Sequence, residues 1–320
     1  MSMESPQPLT LPTRSRPRFG DLGLRTIAGS AAVVLTAIMV AIVYQVVREA
    51  HASIGQFGLG FLTDNEWNAV TNRFGALDLI WGTLYSSLLA LLIAVPVAIA
   101  IGLYLSELAP SFLRTPVALM VELLAAIPSV VLGLWGILVL GPFLADHVEP
   151  FLGDNLGFIP LFSGTPSSHG MLPAVVVLTI MIVPIVASIS RELFSSVPSD
   201  LKQGAMALGA TRWEMVRSVA IPQVSGGLVA AVMLGFARAV GEAIAVSQVI
   251  GGTLNQSWSL FAPADTMAGR IASQYQGAAT ALQRSSLAYL AVILLVISLI
   301  TNVSAQLISG RIQRRMGIRT

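Results

Sequence analysis

Two ionisable residues stand out in this sequence: Arg238 and Glu242, four positions apart in the otherwise apolar stretch GFARAVGEAIAV. A planar guanidinium grips two oxygens of an oxyanion at once. A carboxylate beside it accepts the hydroxyl proton that monohydrogen phosphate carries and sulfate lacks. The two residue types therefore predict an anion pathway, in which Arg238 attracts the anion. Glu242 would hold the empty arginine and test the arriving anion for a proton.

An apolar run from about 221 to 250 must position this pair. A charged residue deep in a membrane helix costs about 2.5 to 3.5 kcal/mol on insertion scales, so both side chains need partners or water. Counted from Pro222 at about 1.5 Å per residue, Arg238 lies roughly 24 Å along the helix, past the bilayer centre toward the outside. At this spacing the two side chains share a helix face. The structural alternative is a buried ion pair that holds this span against a neighbour.

Composition shows that the run belongs to a membrane protein. Of the 320 residues, 55% are hydrophobic and 11% are charged, and the mean hydropathy is +0.79. Water-soluble domains do not reach these values. Each apolar run is close to or above the roughly 20 residues that cross a bilayer. We therefore predict an all-α, polytopic membrane protein with six transmembrane helices, at 26–47, 79–106, 123–145, 171–190, 221–250 and 285–310.

The distribution of Lys and Arg predicts the sidedness, because cytoplasmic segments retain positive charge. Most of these residues fall in the two terminal segments and in the links after the second and fourth spans. Both termini should then be cytoplasmic. We expect a mobile cytoplasmic tail at 1–24 and a single transmembrane domain at 25–320. Its external loops are predicted at about 48–77, 146–170 and 251–284.

Two of these external loops have a recognisable character. The loop at 146–170 contains Asp146, Glu149 and Asp154 and lacks Lys and Arg, so it is an acidic surface on which a partner could dock. The stretch 264–283 has apolar residues three or four positions apart and predicts an amphipathic helix on the outer surface. These residues are Met267, Ile271, Tyr275, Ala278 and Leu282.

The cytoplasmic link at about 193–221 is too long and too patterned to be a plain loop. Ser199 is a suitable N-cap, and Gly209 suits the left-handed position just past a helix end. Thr211 and Glu214 form a T-x-x-E capping box, which begins a second helix. Two short helices joined by a glycine elbow are therefore predicted. A DNA-reading helix-turn-helix is disfavoured because the elbow lies between two membrane spans, and no nucleic-acid partner is expected.

The elbow resembles the EAA loop of ABC importer permeases, whose pattern is E-A-A, three residues, glycine, nine residues and I-x-L-P. Gln203 replaces the acid of that pattern and Gly204 the first alanine, which argues against a salt bridge there but leaves the elbow. The resemblance implies that this loop is a coupling helix resting in a groove of a cytoplasmic ATPase. The implied coupling residues are Gln203, Gly204, Ala205, Gly209, Thr211, Glu214 and Pro222.

Three other stretches resemble the PstC family of permeases in phosphate-specific uptake: FGALDLIWGTLYSSLLALLIAVPVAIAIGLYLSEL, ELLAAIPSVVLGLWG and GFARAVGEAIAV. The resemblance implies a type I ABC importer permease in the plasma (inner) membrane of a prokaryote. It implies three partners: a PstA-like second permease subunit, a PstB-like ATPase homodimer that uses ATP-Mg, and a PstS-like external phosphate-binding protein. The chain itself would bind no cofactor.

Two other functions stay open at this stage. An ABC permease for another oxyanion, such as sulfate or molybdate, would share the fold. An ion-coupled secondary transporter would also suit an intramembrane Arg and Glu, but it needs no ATPase dock. The sequence contains no glycine-rich GKS/T loop, metal cluster or catalytic triad, so the chain is expected not to be catalytic by itself. Glu122, near the predicted third span, is read as structural, with its carboxylate reaching the cytoplasmic interface.

Overall fold

The computed structural model describes the backbone of residues 19–315 and the side chains of residues 23–311. Most of the predicted tail at 1–24 lies outside the described residues, and helix already begins at Phe19. Contacts divide the chain into two units, Met1–Arg48 and Glu49–Thr320. The predicted boundary at residue 25 stays a prediction, and both residue 25 and residue 48 lie within the first long helix.

Helices dominate the described part of the chain. The α-helices are α1 (Phe19–Phe57), α2 (Leu77–Leu103), α3 (Ser111–Ala126), α4 (Ser129–Trp135), α5 (Gly141–Phe143), α6 (Glu149–Leu156), α7 (Met171–Ser196), α8 (Ser199–Ala207), α9 (Arg212–Met215), α10 (Ile221–Gly241), α11 (Ile244–Val249), α12 (Met267–Gln274) and α13 (Ala281–Arg315). Short 3-10 or π-helical segments extend several of them, at Gly58–Leu62, Tyr104–Leu108, Gly136–Leu140, Leu144–Val148, Pro160–Phe162 and Val216–Ala220. A two-residue hairpin pairs β1 (Trp67–Asn68) with β2 (Arg73–Phe74) in antiparallel register.

Six helical segments among the described residues are long and apolar enough to cross a membrane, which confirms the predicted number. They are Gly23–Leu62, Leu77–Leu108, Ser129–Leu156, Met171–Ser196, Arg212–Gly241 and Ala281–Arg311. The π-helical segments join neighbouring short helices into these continuous spans.

The third and fifth spans differ from their predicted limits. Pro128 lacks a backbone donor and forces the preceding Ile127 into an extended conformation, with ψ 125°, so the third span begins only at Ser129. It then continues to Leu156, so the first part of the loop predicted at 146–170 is helical. The fifth span ends at Gly241 rather than at 250.

The main core surrounds α7, the most deeply buried of the spans. Ala90, Ala94 and Ala98 of α2 are fully buried in the cluster that α7 contributes to. Their spacing of four places small side chains on one helix face, which lets two helix backbones approach closely. Gly102 continues this contact, since a Cβ there would lie 2.7 Å from the Ser190 Cβ.

A second core lies under the predicted outer surface, within the unit that starts at Glu49. The Phe61 and Tyr289 rings stack with centroids 4.5 Å apart, and Phe74 and Met267 are buried beside them. The predicted amphipathic helix exists as α12, but it ends at Gln274, before the last apolar positions of the predicted stretch. This core holds the hairpin, α12 and the start of α13 together.

Candidate functional site

The predicted elbow is present between α7 and α10. The first short helix, α8, is followed by Gly209 with φ +92°, a left-handed conformation that favours glycine. The capping box is also present: Glu214 N donates to Thr211 Oγ1 at 3.3 Å, and Thr211 N donates to Glu214 Oε2 at 2.8 Å. Pro222 is the second residue of α10 and directly follows the π-helical segment Val216–Ala220, inside the continuous helical span Arg212–Gly241. The predicted cap of α8 is displaced by one residue, because Pro198 occupies that position.

The elbow presents an apolar, open surface. Leu208 is 91% exposed and Trp213 is 64% exposed. Gln203 and Gly204 of α8 are exposed as well, and a Cβ added at Gly204 would meet no atom within 4 Å. Large exposed apolar side chains away from a membrane mark a docking surface for another protein.

A largely but not fully buried ion pair ties α8 to the end of the second span. Lys202 Nζ lies 2.5 Å from Glu107 Oε1, and the two side chains are only 17% and 10% exposed. Lys202 Nζ also donates to the Phe194 carbonyl of α7 at 3.0 Å. One lysine thus joins the elbow to two membrane helices. Sequence reasoning missed this pair because its members are 95 positions apart.

Arg238 lies in the last turn of α10 whereas Glu242 follows the helix end, so the two residues do not share a helix face as predicted. Helix α10 ends at Gly241, and Glu242 is extended with ψ 119°. The Glu242 side chain is buried, and its Oε1 accepts a hydrogen bond from Ala245 N at 3.3 Å. Glu242 therefore caps the short helix α11 instead of holding the arginine.

Arg238 lies in the last turn of α10, where the helix dipole favours a cation. Its side chain is exposed, and it forms no ion pair within the described residues. The alternative of a buried ion pair with a neighbouring span is therefore wrong for this chain alone. An exposed guanidinium inside a membrane span requires water, an anion or another subunit beside it.

The break at Glu242 packs beside the break at Pro128. Helices α11 and α4, which follow the two breaks, are in contact. Gly133 permits this approach, since a Cβ there would lie 2.5 Å from Gln248 Oε1. That oxygen is buried without a hydrogen-bond partner in the described residues. Non-helical backbone at membrane depth is tolerated where protein or a water-filled cavity surrounds it, so both breaks indicate the interior of the assembly.

A second ion pair, which is buried, anchors the loop before α12, a loop predicted to be external. Asp265 Oδ2 lies 2.6 Å from Arg270 Nε, and both side chains are almost fully buried. Arg270 Nη2 also donates to the Gly252 carbonyl at 3.3 Å. Burial raises the pKa of the Asp265 carboxyl, and the charge of Arg270 opposes that rise. Gly82 of α2 permits the loop to sit here, since a Cβ there would lie 2.0 Å from the Asp265 carbonyl oxygen.

Glu122 lies on α3, outside the third span, and pairs with Arg191 of α7. The distance from Arg191 Nη2 to Glu122 Oε1 is 3.3 Å, and the side chains are 35% and 51% exposed. The partner is an arginine that sequence reasoning had assigned only to the cytoplasmic link. An ion pair this exposed contributes little to stability.

Comparison with known proteins gives relatives along most of the chain. Residues 94–317 match the family described as "Binding-protein-dependent transport system inner membrane component". The chain is 39% identical to the phosphate transport system permease protein PstC of Haemophilus influenzae, over 95% of this chain and 99% of the relative. It is 41% identical to the protein of that name from Mesorhizobium japonicum, over 90% of this chain and 89% of the relative.

Two solved structures share the fold. A bacterial alginate ABC transporter, solved in complex with an alginate pentasaccharide-bound periplasmic protein, matches with a TM-score of 0.61 at 16% identity over 95% of this chain and 99% of the matched chain. The MetNI methionine ABC transporter, in an inward-facing conformation, matches with a TM-score of 0.53 at 21% identity over 73% and 94%. At these identities the similarity concerns the fold alone.

Proposed function

Since the chain belongs to the family of binding-protein-dependent transport system inner membrane components and, within it, to the PstC phosphate transport permeases, we propose that it forms half of the phosphate pathway of an ATP-driven importer. The observation that carries this proposal is the folded elbow, with exposed Leu208 and Trp213, between two membrane spans. A permease that needed no ATPase would have no use for such a surface.

The partners follow from this architecture. A PstB-like ATPase homodimer would dock on the elbow and bind and hydrolyse ATP-Mg, so this chain is not catalytic by itself. A PstA-like subunit would complete the pathway, and a PstS-like protein would deliver phosphate from outside. The alginate ABC transporter was solved in complex with a periplasmic protein, which supports the last role. The complex would lie in the inner membrane of a prokaryote.

Arg238 is the pathway residue that this chain would contribute. Its exposed guanidinium at the end of α10 needs a polar environment, and a passage shared with the PstA-like subunit supplies one. Glu242 would stabilise the break that follows α10, through the hydrogen bond that its Oε1 accepts from Ala245 N. Its second role, the test of the anion for a proton, stays a prediction.

Uptake by the complete complex in vesicles tests the function. Labelled phosphate should enter only with ATP-Mg and the external binding protein, and excess phosphate should compete where sulfate and molybdate do not. Uptake driven by an ion gradient without ATP would instead favour a secondary transporter. Equal competition by sulfate or molybdate would favour the other-oxyanion permease. Mass spectrometry of the proteins that co-purify with a tagged chain identifies the partners independently.

Two substitutions test the pathway residues in the same assay. Arg238→Lys should lower uptake by about tenfold or more, because the two-pronged contact with the anion is lost while the charge stays. Arg311→Lys, at an exposed arginine near the end of α13, is the matched control and should be neutral. Glu242→Gln keeps an acceptor for Ala245 N, so it removes the charge and spares the cap. Unchanged rejection of sulfate in Glu242→Gln would refute the proton test.

A further inference from the structure

A cavity of about 550 Å³ lies between the end of the second span, α3 and α7, and Arg238 is not among its lining residues. Three elements line it: the π-helical segment Tyr104–Leu108 that ends the second span, α3 and the end of α7. Its lining is mostly polar, although it lies among membrane helices. The lining residues are Leu105, Ser106, Arg114, Thr115, Ala118, Leu119, Glu122, Ser188, Arg191, Glu192 and Ser195.

Two guanidinium groups in this lining retain unused donors. Arg114 donates from Nε to the Ala109 carbonyl at 2.8 Å, which fixes the base of the group and leaves its terminal nitrogens without a partner among the described residues. Among the residues whose side chains the structure describes, Arg191 contacts only the exposed carboxylate of Glu122. A pair of this kind is worth about 0 to 1 kcal/mol, so a stronger acceptor displaces the carboxylate.

Three hydroxyl groups add neutral donors. Thr115, Ser188 and Ser195 line the cavity, and their hydroxyls make no hydrogen bond within the part of the chain that the structure describes. Two guanidinium groups with several hydroxyls form the donor set that a tetrahedral phosphate group accepts from.

We propose that this cavity binds a phosphate group through Arg114 and Arg191. The phosphate group has two possible sources. One is transported phosphate at an exit site, a role that rests on the proposed function, and the other is the headgroup of an anionic phospholipid. The carboxylates of Glu122 and Glu192 balance the two arginines, so the cavity has no formal net charge and should bind weakly. Weak binding suits release to the cytoplasm, because conduction requires that an ion leave its last site easily.

The test uses the absence of cysteine from this chain. Ser195→Cys places one thiol in the cavity, and peptide mass spectrometry follows its modification by a maleimide. The complete complex is studied without ATP in nanodiscs of phosphatidylcholine, with inorganic phosphate or with chloride at equal ionic strength. A second set of nanodiscs also contains phosphatidylglycerol.

Protection of the thiol by inorganic phosphate, but not by chloride, would establish the exit site. Protection only in phosphatidylglycerol nanodiscs would establish the lipid site. Adding Arg114→Gln should weaken either protection by about tenfold, because a charged hydrogen bond is lost. Adding Arg311→Gln, which removes an exposed arginine outside the cavity, should not.

Absence of protection under all these conditions, or protection that survives Arg114→Gln together with Arg191→Gln, would overturn the proposal. Phosphate uptake is measured in parallel with the unsubstituted complex. Lack of uptake there counts against the proposed function alone, whereas lack of protection counts against the cavity alone.

Discussion

The buried pair of Lys202 and Glu107 should couple the ATPase to the membrane helices, and removal of one partner tests this. A buried ion pair that loses one member costs about 3 to 5 kcal/mol, because the remaining charge stays desolvated. The Lys202 and Glu107 side chains are still 17% and 10% exposed, so we expect the lower end of this range, about 3 kcal/mol, for Glu107→Gln. That energy corresponds to roughly a 150-fold shift in the local equilibrium between docked and released α8.

The expected phenotype is uncoupling rather than loss of assembly. The exposed docking face of the elbow is unchanged in Glu107→Gln and Lys202→Met, so the ATPase should still bind and hydrolyse ATP. Each hydrolysed ATP should import less phosphate, since movement of α8 is no longer passed to the second span. The ratio of phosphate uptake to ATP hydrolysis in proteoliposomes measures this directly.

A double variant separates the pair from its individual charges. Glu107→Leu with Lys202→Met removes both charges and should recover most of the lost stability, because a buried pair replaced by apolar residues is often neutral or better. The charge reversal, Glu107→Lys with Lys202→Glu, should recover less. Its new carboxylate would face the Phe194 carbonyl, which Lys202 now contacts at 3.0 Å.

An exposed ion pair supplies the control. Arg73 and Glu66 lie 3.4 Å apart with 70% and 39% exposure, so breaking this pair should cost less than about 1 kcal/mol and leave the coupling ratio unchanged. Single variants of Lys202 and Glu107 that match this control in thermal stability and in coupling ratio would refute the reasoning. The reasoning would also be refuted if the stability losses of the two single variants simply added in the double variant.

Two further predictions concern backbone and charge elsewhere. Gly209→Ala should destabilise the elbow by about 1 kcal/mol or more, because a φ of +92° strains any side chain. Gly204→Ala should be neutral or stabilising, because Gly204 lies at an open helical position. Hydrogen exchange of α8 distinguishes the two variants. Arg270→Gln should loosen the external loop more than Asp265→Asn does, because it leaves a buried carboxylate without its cation. The pKa of Asp265, already raised by burial, should rise further in Arg270→Gln. The folded state of that variant then loses stability as pH rises through this pKa and regains it on acidification. Thermal unfolding measured between pH 7.5 and pH 5 would show the change. Equal hydrogen exchange in the first pair, or pH-independent unfolding of Arg270→Gln, would contradict these expectations.

The elbow was predictable because its determinants are local. Gly209 follows a run of helix formers, and Thr211 and Glu214 form a capping box. Each of these signals acts within three or four residues, and both are present as expected. The six spans were predictable for a similar reason, since mean hydropathy over about 20 residues suffices. Neither prediction requires knowledge of which helix packs against which.

The membrane breaks were harder to place. The run after Arg238 is apolar to residue 250, which favours one long helix, yet α10 ends at Gly241. Gly241 directly before Glu242 was the available signal, because a glycine followed by a capping carboxylate starts a new helix readily. The acids at 146–154 caused the opposite error, because they favoured a loop where the chain is helical. Glu149 is fully buried in helix and accepts a hydrogen bond from Ser167 N at 2.7 Å, a contact that no local pattern reveals.

The second helix of the elbow and Arg238 belong to one continuous helical span. From Arg212, next to the capping box, the chain is helical without interruption to Gly241, a length of 30 residues or about 45 Å. Packing against α7 and α13, together with the bond from Ser309 Oγ to the Gly226 carbonyl at 3.0 Å, holds this helix along its length. A displacement of the second elbow helix by the proposed ATPase would therefore reach Arg238 through the helix itself. The helix ends at Gly241. Glu242 and the contact of α11 with α4 would therefore absorb the motion.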